Sequence, residues 1–513
     1  MNKRAFSLGL RSRAFLAASS GILLTLSYPH PAWGFLAWVA LVPLFFAIRK
    51  AETLAQAARA GVVFGLVFFG LSMHWLTHVA PAGWILWTLM QTVYLTGFTC
   101  LAYAVRKAQA PLWFRVLWVA LAWTVIEILR SEVPIFGMEW NLLGYSQAPY
   151  PVMIQSASIW GAYGLGFLIA IVNVCVFELF APKKLRKRGV PAALFAVSVG
   201  ILIGLMVYGD RRLGREEKPE EYLRVSVLQG NIPQSVKWEL MAKEKILEIY
   251  IKLTQLAAVK QPDLIIWPEA AFPGYFNGDV AAARITQLAK EVQTPLLIGA
   301  LYWVTEKEVY NSAYLLDKNG VGLGRYDKLR LVPFGEFIPL KPIFFWLTPI
   351  AESLGISDFS AGTVPVLFRW AREDWPFGVL ICFEDVFTDL SREYADRGAK
   401  FLTVITNDAW FGKTGSPFQH FQASVFRAVE NGVAVVRAGN TGVSGFISRR
   451  GELLATVRGE KGGEIFELGH ETLDLPLATE TTFYRRGGFL FPYVAAALFL
   501  ILAVFLRRKL ANE

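Results

Sequence analysis

Residues 378–385 read Gly-Val-Leu-Ile-Cys-Phe-Glu-Asp. An apolar run ends on Cys382 and is followed by Phe383 and two acids, the pattern of a buried strand running into a turn or a helix start. Such a strand end sets a thiol at the rim of a sheet. Backbone N–H groups there can lower its pKa or bind an oxyanion. The chain has three cysteines. Cys100 and Cys175 fall inside long apolar segments, where a thiol usually acts as a small apolar filler. Cys382 therefore has no disulfide partner in the polar part of the chain. A lone thiol in an oxidising compartment is either buried and inert or kept for its reactivity. His420 is the nearest histidine in sequence and His470 lies farther on, so a Cys-His pair has little support.

Outward from this run, similar apolar stretches recur at 223–232, 263–267, 295–301, 401–407 and 433–436. Helix-like stretches at 237–260, 279–293 and 417–431 lie between some of them. Short runs alternating with helices predict an α/β domain with a largely buried sheet. Residues 317–320, Asp-Lys-Asn-Gly, read as a hairpin turn. Two further places combine charge with apolar surroundings. Ile265-Ile266-Trp267-Pro268-Glu269 puts a carboxylate just past a strand, and the segment 326–336 carries Lys328 and Glu336 among apolar residues. Taken singly, Glu269 reads equally as a cap, Lys328 as a solvated lysine and Glu336 as a surface acid.

The rest of the chain is a different material. Of 513 residues, 54% are apolar and only 18% charged, against roughly 25% charged in soluble proteins. Disorder and a purely soluble fold are both excluded by that balance. Segments apolar enough to span a membrane lie near 10–28, 33–48, 59–78, 82–105, 111–130, 155–180, 190–208 and 487–506, so eight spans are expected. The first also has the look of a signal peptide, but further spans follow at once and an uncleaved helix is the preferred reading. The expected organisation is a membrane domain over 1–208, a polar domain over 209–486 and a last span with a basic tail over 487–513.

Charge distribution supports this. Between Asp210 and Arg486 there are 32 basic and 35 acidic residues, whereas the apolar ends hold 19 and 6. The net charge of +10 thus belongs to the apolar segments, and no nucleic-acid groove is expected. Eight spans put every basic cluster (around Lys3, Arg49, Arg106, Lys183 and Arg507) on one side, with both termini cytoplasmic. The polar domain then lies on the opposite face. In the spans, His74 and His78 are read as interfacial residues sharing a helical face, and Glu127 is expected to pair with Arg130.

Taken together, Trp267-Pro268-Glu269, the 326–336 segment and Cys382-Phe383-Glu384-Asp385 resemble the catalytic segments of the nitrilase, or carbon–nitrogen hydrolase, superfamily in order and broad spacing. The resemblance covers about 225–460. With its spans, the whole chain resembles the apolipoprotein N-acyltransferase family. Supporting stretches are 139–147 (EWNLLGYSQ), 228–238 (LQGNIPQSVKW), 331–340 (LVPFGEFIPL) and 406–412 (TNDAWFG).

The resemblance implies an αββα sandwich with Glu269, Lys328 and Cys382 as the catalytic set. It implies Glu336 as an orienting residue and Glu384 as a further functional position. Phe383 stands where the family commonly has Tyr; the aromatic surface is kept, and catalysis is expected to survive. Asn407 belongs to the supporting stretches. Trp238, Trp410 and Phe411 are candidates to line an acyl channel, with core packing the alternative. Residues 339–354 read either as an interfacial lid or as a buried helix.

The implied reaction moves an acyl chain from a membrane phospholipid, typically phosphatidylethanolamine, to the α-amino group of an S-diacylglyceryl-cysteine. That cysteine begins an apolipoprotein. The route is ping-pong through a thioester. No metal or cofactor is implied, a monomer is expected, and the site is a bacterial inner membrane with a periplasmic catalytic domain. A membrane-tethered amidase of the same superfamily, with water as acceptor, is the alternative.

Overall fold

The computed structural model describes residues 3–133, 137–180, 190–215, 219, 221–237, 240–306, 308–338, 358–370 and 375–511. The chain divides into two compact units, Met1–Arg215 with Thr482–Glu513, and Glu216–Thr481.

The first unit is α-helical. Among the described residues, six helices are long and apolar enough to cross a membrane: Leu54–Ser72, Pro81–Lys107, Leu112–Glu132, Ala157–Leu179, Val190–Leu213 and Gly488–Lys509. Two of the eight expected segments fall outside that set. The helix Lys3–Leu26 is long enough, at 24 residues, but Lys3, Arg4, Arg11 and Arg13 dilute its apolar character. The segment at 33–48 breaks into a 3₁₀ turn, Gly34–Trp38, and a short helix, Val42–Arg49, with Pro43 in its first turn. It is too short for the roughly 30 Å apolar layer of a bilayer.

A second expectation is also corrected. The third span ends at Ser72, and His74 turns back so that its Nδ1 meets the Leu71 carbonyl at 2.9 Å. His78 sits on a separate four-residue turn, Leu76–Val79, so the two histidines share no helix. The Glu127–Arg130 pair is present at 3.7 Å. Both groups are buried and also serve the 140–143 backbone. Glu127 accepts from the Leu143 N–H at 2.6 Å, and Arg130 donates to the Trp140 and Asn141 carbonyls. Close helix contact rests on small residues: a Cβ at Gly61 would meet Thr99 Oγ1 at 2.3 Å.

The second unit holds two six-stranded sheets. The strands are β1 (Tyr222–Gln229), β2 (Leu264–Ile266), β3 (Leu296–Thr305), β4 (Glu308–Leu316), β5 (Gly322–Asp327), β6 (Leu367–Phe368), β7 (Phe377–Ile381), β8 (Phe401–Thr406), β9 (Ala434–Gly439), β10 (Gly445–Ile447), β11 (Leu453–Thr456) and β12 (Gly469–Pro476). The orders are β12-β1-β2-β3-β4-β5 and β11-β10-β9-β8-β7-β6. In each sheet three parallel strands form the centre, β1-β2-β3 and β7-β8-β9, and antiparallel strands flank them. The expected hairpin joins β4 to β5, with Asp317 Oδ1 accepting from the Asn319 and Val321 amides.

Strand alternation builds two cores. Val225, Val227, Leu264, Ile266 and Leu297 join Val379, Ile381, Phe401, Ile405 and Val436 in a cluster shared by both sheets. Leu228, Ile265, Trp267, Leu296 and Ile298 point the other way, onto the helices Lys243–Ala258 and Ala282–Val292. The helices Thr388–Asp396 and Ser416–Asn431 serve the second sheet. The result is the expected αββα sandwich.

Candidate active site

Glu269, Lys328 and Cys382 all follow the ends of strands. Glu269 lies three residues past β2, Lys328 directly follows β5, and Cys382 directly follows β7. Each loop contains a non-glycine residue in the left-handed region: Ala270 (φ 45°), Phe334 (φ 59°) and Cys382 itself (φ 53°). Such backbone is held only where its surroundings enforce it, and it concentrates at functional sites.

Burial alone would make Lys328 a poor cation. Its side chain is 1% exposed, yet Nζ lies 2.8 Å from Glu336 Oε1 and 3.6 Å from Glu269 Oε1. Burial acts to lower its pKa, but Glu336, Glu269 and Cys382 outweigh burial and raise it above the ordinary lysine value. Lys328 is therefore a fixed positive charge. The solvated-lysine and surface-acid readings of Lys328 and Glu336 do not hold.

Cys382 has the opposite character. Its side chain is half-buried at the start of the 3₁₀ turn Cys382–Val386. Desolvation and the Glu269 charge push the thiol well above its usual pKa, and Lys328 and the Thr406 hydroxyl only partly oppose them. At neutral pH it is a thiol, so it needs a base at the moment of attack. His420 does not supply one, because its Nε2 lies 3.2 Å from the backbone carbonyl of Cys382.

Glu384 explains how the loops keep register. It is fully buried. Oε1 accepts from the Tyr326 hydroxyl at 2.8 Å, the Leu329 N–H at 2.6 Å and the Arg330 N–H at 3.1 Å, while Oε2 accepts from the Ile381 N–H at 2.7 Å. One carboxylate thus ties the lysine loop to the cysteine turn. Burial raises its pKa to about 7 against the pull of these donors.

Two partners escaped sequence reasoning. Asn311 on β4 donates through Nδ2 to Glu269 Oε1 at 2.7 Å and to Glu336 Oε1 at 3.1 Å, and it pairs its backbone carbonyl with the Lys328 N–H at 2.9 Å. Lys237, 2% exposed, donates to the Glu269 carbonyl at 3.1 Å. Burial lowers its pKa to about 8, although Glu269 and Cys382 pull the other way. Asn311 sits beside Ser312 in the mixed run EVYNSAYLL, which has no clear apolar period. Lys237 lies within the 228–238 stretch that carries the resemblance, but only Trp238 was singled out there.

The remaining candidates are less central. Phe383 is buried and packs edge-to-face on Phe387, with centroids 5.0 Å apart. Asn407 binds Gln234 and Asn440 rather than the charged set. Trp410, 38% exposed, and Phe411 lie on the 3₁₀ turn Asp408–Phe411 after β8. Trp238 and the segment 339–354 lie outside the described residues.

Two family models match successive parts of the chain. Residues 20–175 match the family model of the apolipoprotein N-acyltransferase N-terminal domain, and residues 224–481 match that of the carbon-nitrogen hydrolases. Among solved structures, an amidase of the nitrilase superfamily from Nesterenkonia is 20% identical, covering 51% of this chain and 94% of its own at a TM-score of 0.38. Proteins named apolipoprotein N-acyltransferase match over nearly the whole chain. That of Geobacter metallireducens is 35% identical over 96% of this chain and 95% of its own. That of Rhodopseudomonas palustris is 31% identical over 97% and 95%. With both family models matched in order and likeness of this extent, the chain belongs to the apolipoprotein N-acyltransferase family.

Proposed function

We propose that this protein transfers a fatty acyl chain from a membrane phospholipid, phosphatidylethanolamine foremost, to the α-amino group of the N-terminal S-diacylglyceryl-cysteine of apolipoproteins. The observation that carries the reading is the linked set of buried Glu269 and Lys328 with half-buried Glu336, together with one half-buried, neutral thiol.

In the first step the Cys382 sulfur attacks the ester carbonyl while Glu269 takes the thiol proton. Lys328 and the Phe383 N–H stabilise the oxyanion. A fixed donor of this kind is worth roughly 3–4 kcal/mol. The C–O bond breaks, and the lysophospholipid oxygen leaves with the proton from Glu269. In the second step the peptide amine attacks the thioester and Glu269 takes a proton from nitrogen; the C–S bond breaks, and the leaving sulfur takes that proton back, which restores the thiol. Glu336 and Asn311 keep Lys328 and Glu269 in place throughout. Exclusion of water protects the thioester from hydrolysis.

We place the protein in a bacterial inner membrane, with the unit Glu216–Thr481 periplasmic and both termini cytoplasmic. The support is the one-sided distribution of basic loops. One chain supplies every group named, so a monomer suffices.

Mass spectrometry of the intact protein tests the reaction. Wild type incubated with phospholipid should gain an acyl-sized mass that Cys382→Ala does not, and a diacylglyceryl-cysteine peptide should discharge it. A folded, lipid-loaded sample that shows neither adduct nor acylated peptide sinks the reading and favours hydrolysis of an amide or nitrile.

A further inference from the structure

The helix Ser416–Asn431 turns a polar face inward. His420, Ser424, Arg427 and Asn431 follow each other at spacings of four, three and four, and all are buried. A buried helix stripe is ordinarily apolar. Here each member holds the segment that begins with Cys382. Ser424 donates to Asp385 Oδ2. Arg427 donates to the Val386 carbonyl at 2.8 Å, and Asn431 donates to Ser391 Oγ at 3.3 Å. His420 reaches deepest, with Nε2 at 2.8 Å from Asp385 Oδ1 and 3.2 Å from the Cys382 carbonyl.

The partners of the ring fix its protons. Both atoms facing Nε2 are acceptors, so Nε2 carries hydrogen in either charge state. Nδ1 faces an acceptor, Asp408 Oδ1 at 2.9 Å, and a donor, Arg437 Nη2 at 2.8 Å. It can donate to the first when protonated and accept from the second when neutral. Arg437 closes the cluster on Asp385 Oδ2 at 2.8 Å and Asp408 Oδ2 at 3.3 Å. One guanidinium and two carboxylates thus hold the ring rigidly against the cysteine turn.

A peptide is planar, and its C=O and N–H point in opposite directions. The Cys382 carbonyl and the Phe383 N–H are the two edges of one peptide. The first amides of a helix lack intrahelical partners, which leaves the Phe383 N–H available at the mouth of the turn. We propose that His420 is a positioning residue: its Nε2–H anchors the Cys382 carbonyl and so aims the Phe383 N–H at the oxyanion of the acyl-transfer intermediate. The proposal rests on the acyl-transfer reading and extends it to a residue that touches neither substrate nor thiol.

The test compares two reactions of Cys382 in the full-length protein in lipid nanodiscs. Acylation by phospholipid develops an oxyanion, whereas alkylation by iodoacetamide, read on the Cys382 peptide, does not. His420→Gln keeps an N–H donor of similar reach; His420→Asn keeps a polar amide that is a methylene too short. The Asn variant should lose about 100-fold in acylation rate at unchanged phospholipid KM, with little change in alkylation. The Gln variant should recover most of that loss. Equal losses in both reactions, or no loss of acylation in the Asn variant, overturn the proposal. Should the Asn variant fail to fold, the Gln variant decides alone: near wild-type acylation supports the anchor, and a hundredfold loss refutes it. A wild-type protein that never carries an acyl group fails the acyltransferase reading itself, and the proposal with it, before any variant is compared.

Discussion

At the scale of single residues, the site depends on polar groups whose partners are supplied by other segments. Asn311 gives one amide to two carboxylates, Glu269 and Glu336, and so allows two negative charges to flank one lysine. Asn311→Asp puts a third carboxylate there in place of a donor. We expect at least a tenfold loss in the rate of thioester formation by mass spectrometry, with Lys328 still buried. A rate equal to wild type would remove Asn311 from the mechanism. His420 makes a prediction about stability. Burial opposes its charge, but Asp385 and Asp408 raise its pKa from 6.5 to about 9. A pKa raised on folding contributes stability that is fully present below pH 6.5 and is lost as the pH climbs through 9. That contribution is on the order of 3 kcal/mol. Thermal melting of wild type should therefore fall between pH 6.5 and 9.5 by more than that of His420→Gln; parallel curves would contradict it.

Elements set the geometry that single residues exploit. The chain after β2 passes directly over β3, and it can do so because position 299 has no side chain. A Cβ on Gly299 would lie 2.2 Å from the Pro268 carbonyl oxygen and 2.7 Å from Glu269 Cα. Gly299→Ala must move the Glu269 loop, since the strand is held on both sides by β2 and β4. The expected result is a strong loss of acylation in a protein that still folds, read by circular dichroism alongside the thioester assay. Full activity would mean the loop tolerates the shift. The end of β7 offers an independent check. Cys382 has φ 53°, a conformation that costs a non-glycine residue roughly 1–2 kcal/mol. Cys382→Gly should thus melt no lower than Cys382→Ala, reversing the usual penalty for glycine. A clearly lower melting temperature for the glycine variant would show that the turn is unstrained.

For the whole molecule, the sequence of apolar segments and basic loops makes one arrangement testable. A single cysteine introduced at Lys184 should react with a membrane-impermeant maleimide only after the inner membrane is opened, whereas one introduced at Asn319 should react in spheroplasts. The opposite pattern would invert the proposed topology. The count of spans is the weaker part of the sequence reading, since hydropathy measures composition and not helix continuity. Residues 33–48 are apolar enough to suggest a span, yet Pro43 and the Gly34–Trp38 turn break them.

The order of the apolar runs, the three charged segments and the helix between β8 and β9 were all legible in the sequence, because burial periodicity and catalytic side chains are local properties. The same runs predicted one largely buried sheet; the second sheet entered with the family resemblance, and the parallel centres with the structure. Three of the outer antiparallel strands were not legible: β6, β10 and β11 have two, three and four residues, too few to display a period. Pairing is likewise invisible in a linear chain. Nothing near residue 328 in sequence reveals that Asn311 shares its carboxylates. Nothing near residue 382 reveals that His420 holds its carbonyl, or that Glu384 binds the loop around residue 329. Those facts arise only when two sheets close on one core. Hydrogen bonds and charges act over a few ångströms of space, whatever the number of residues between them.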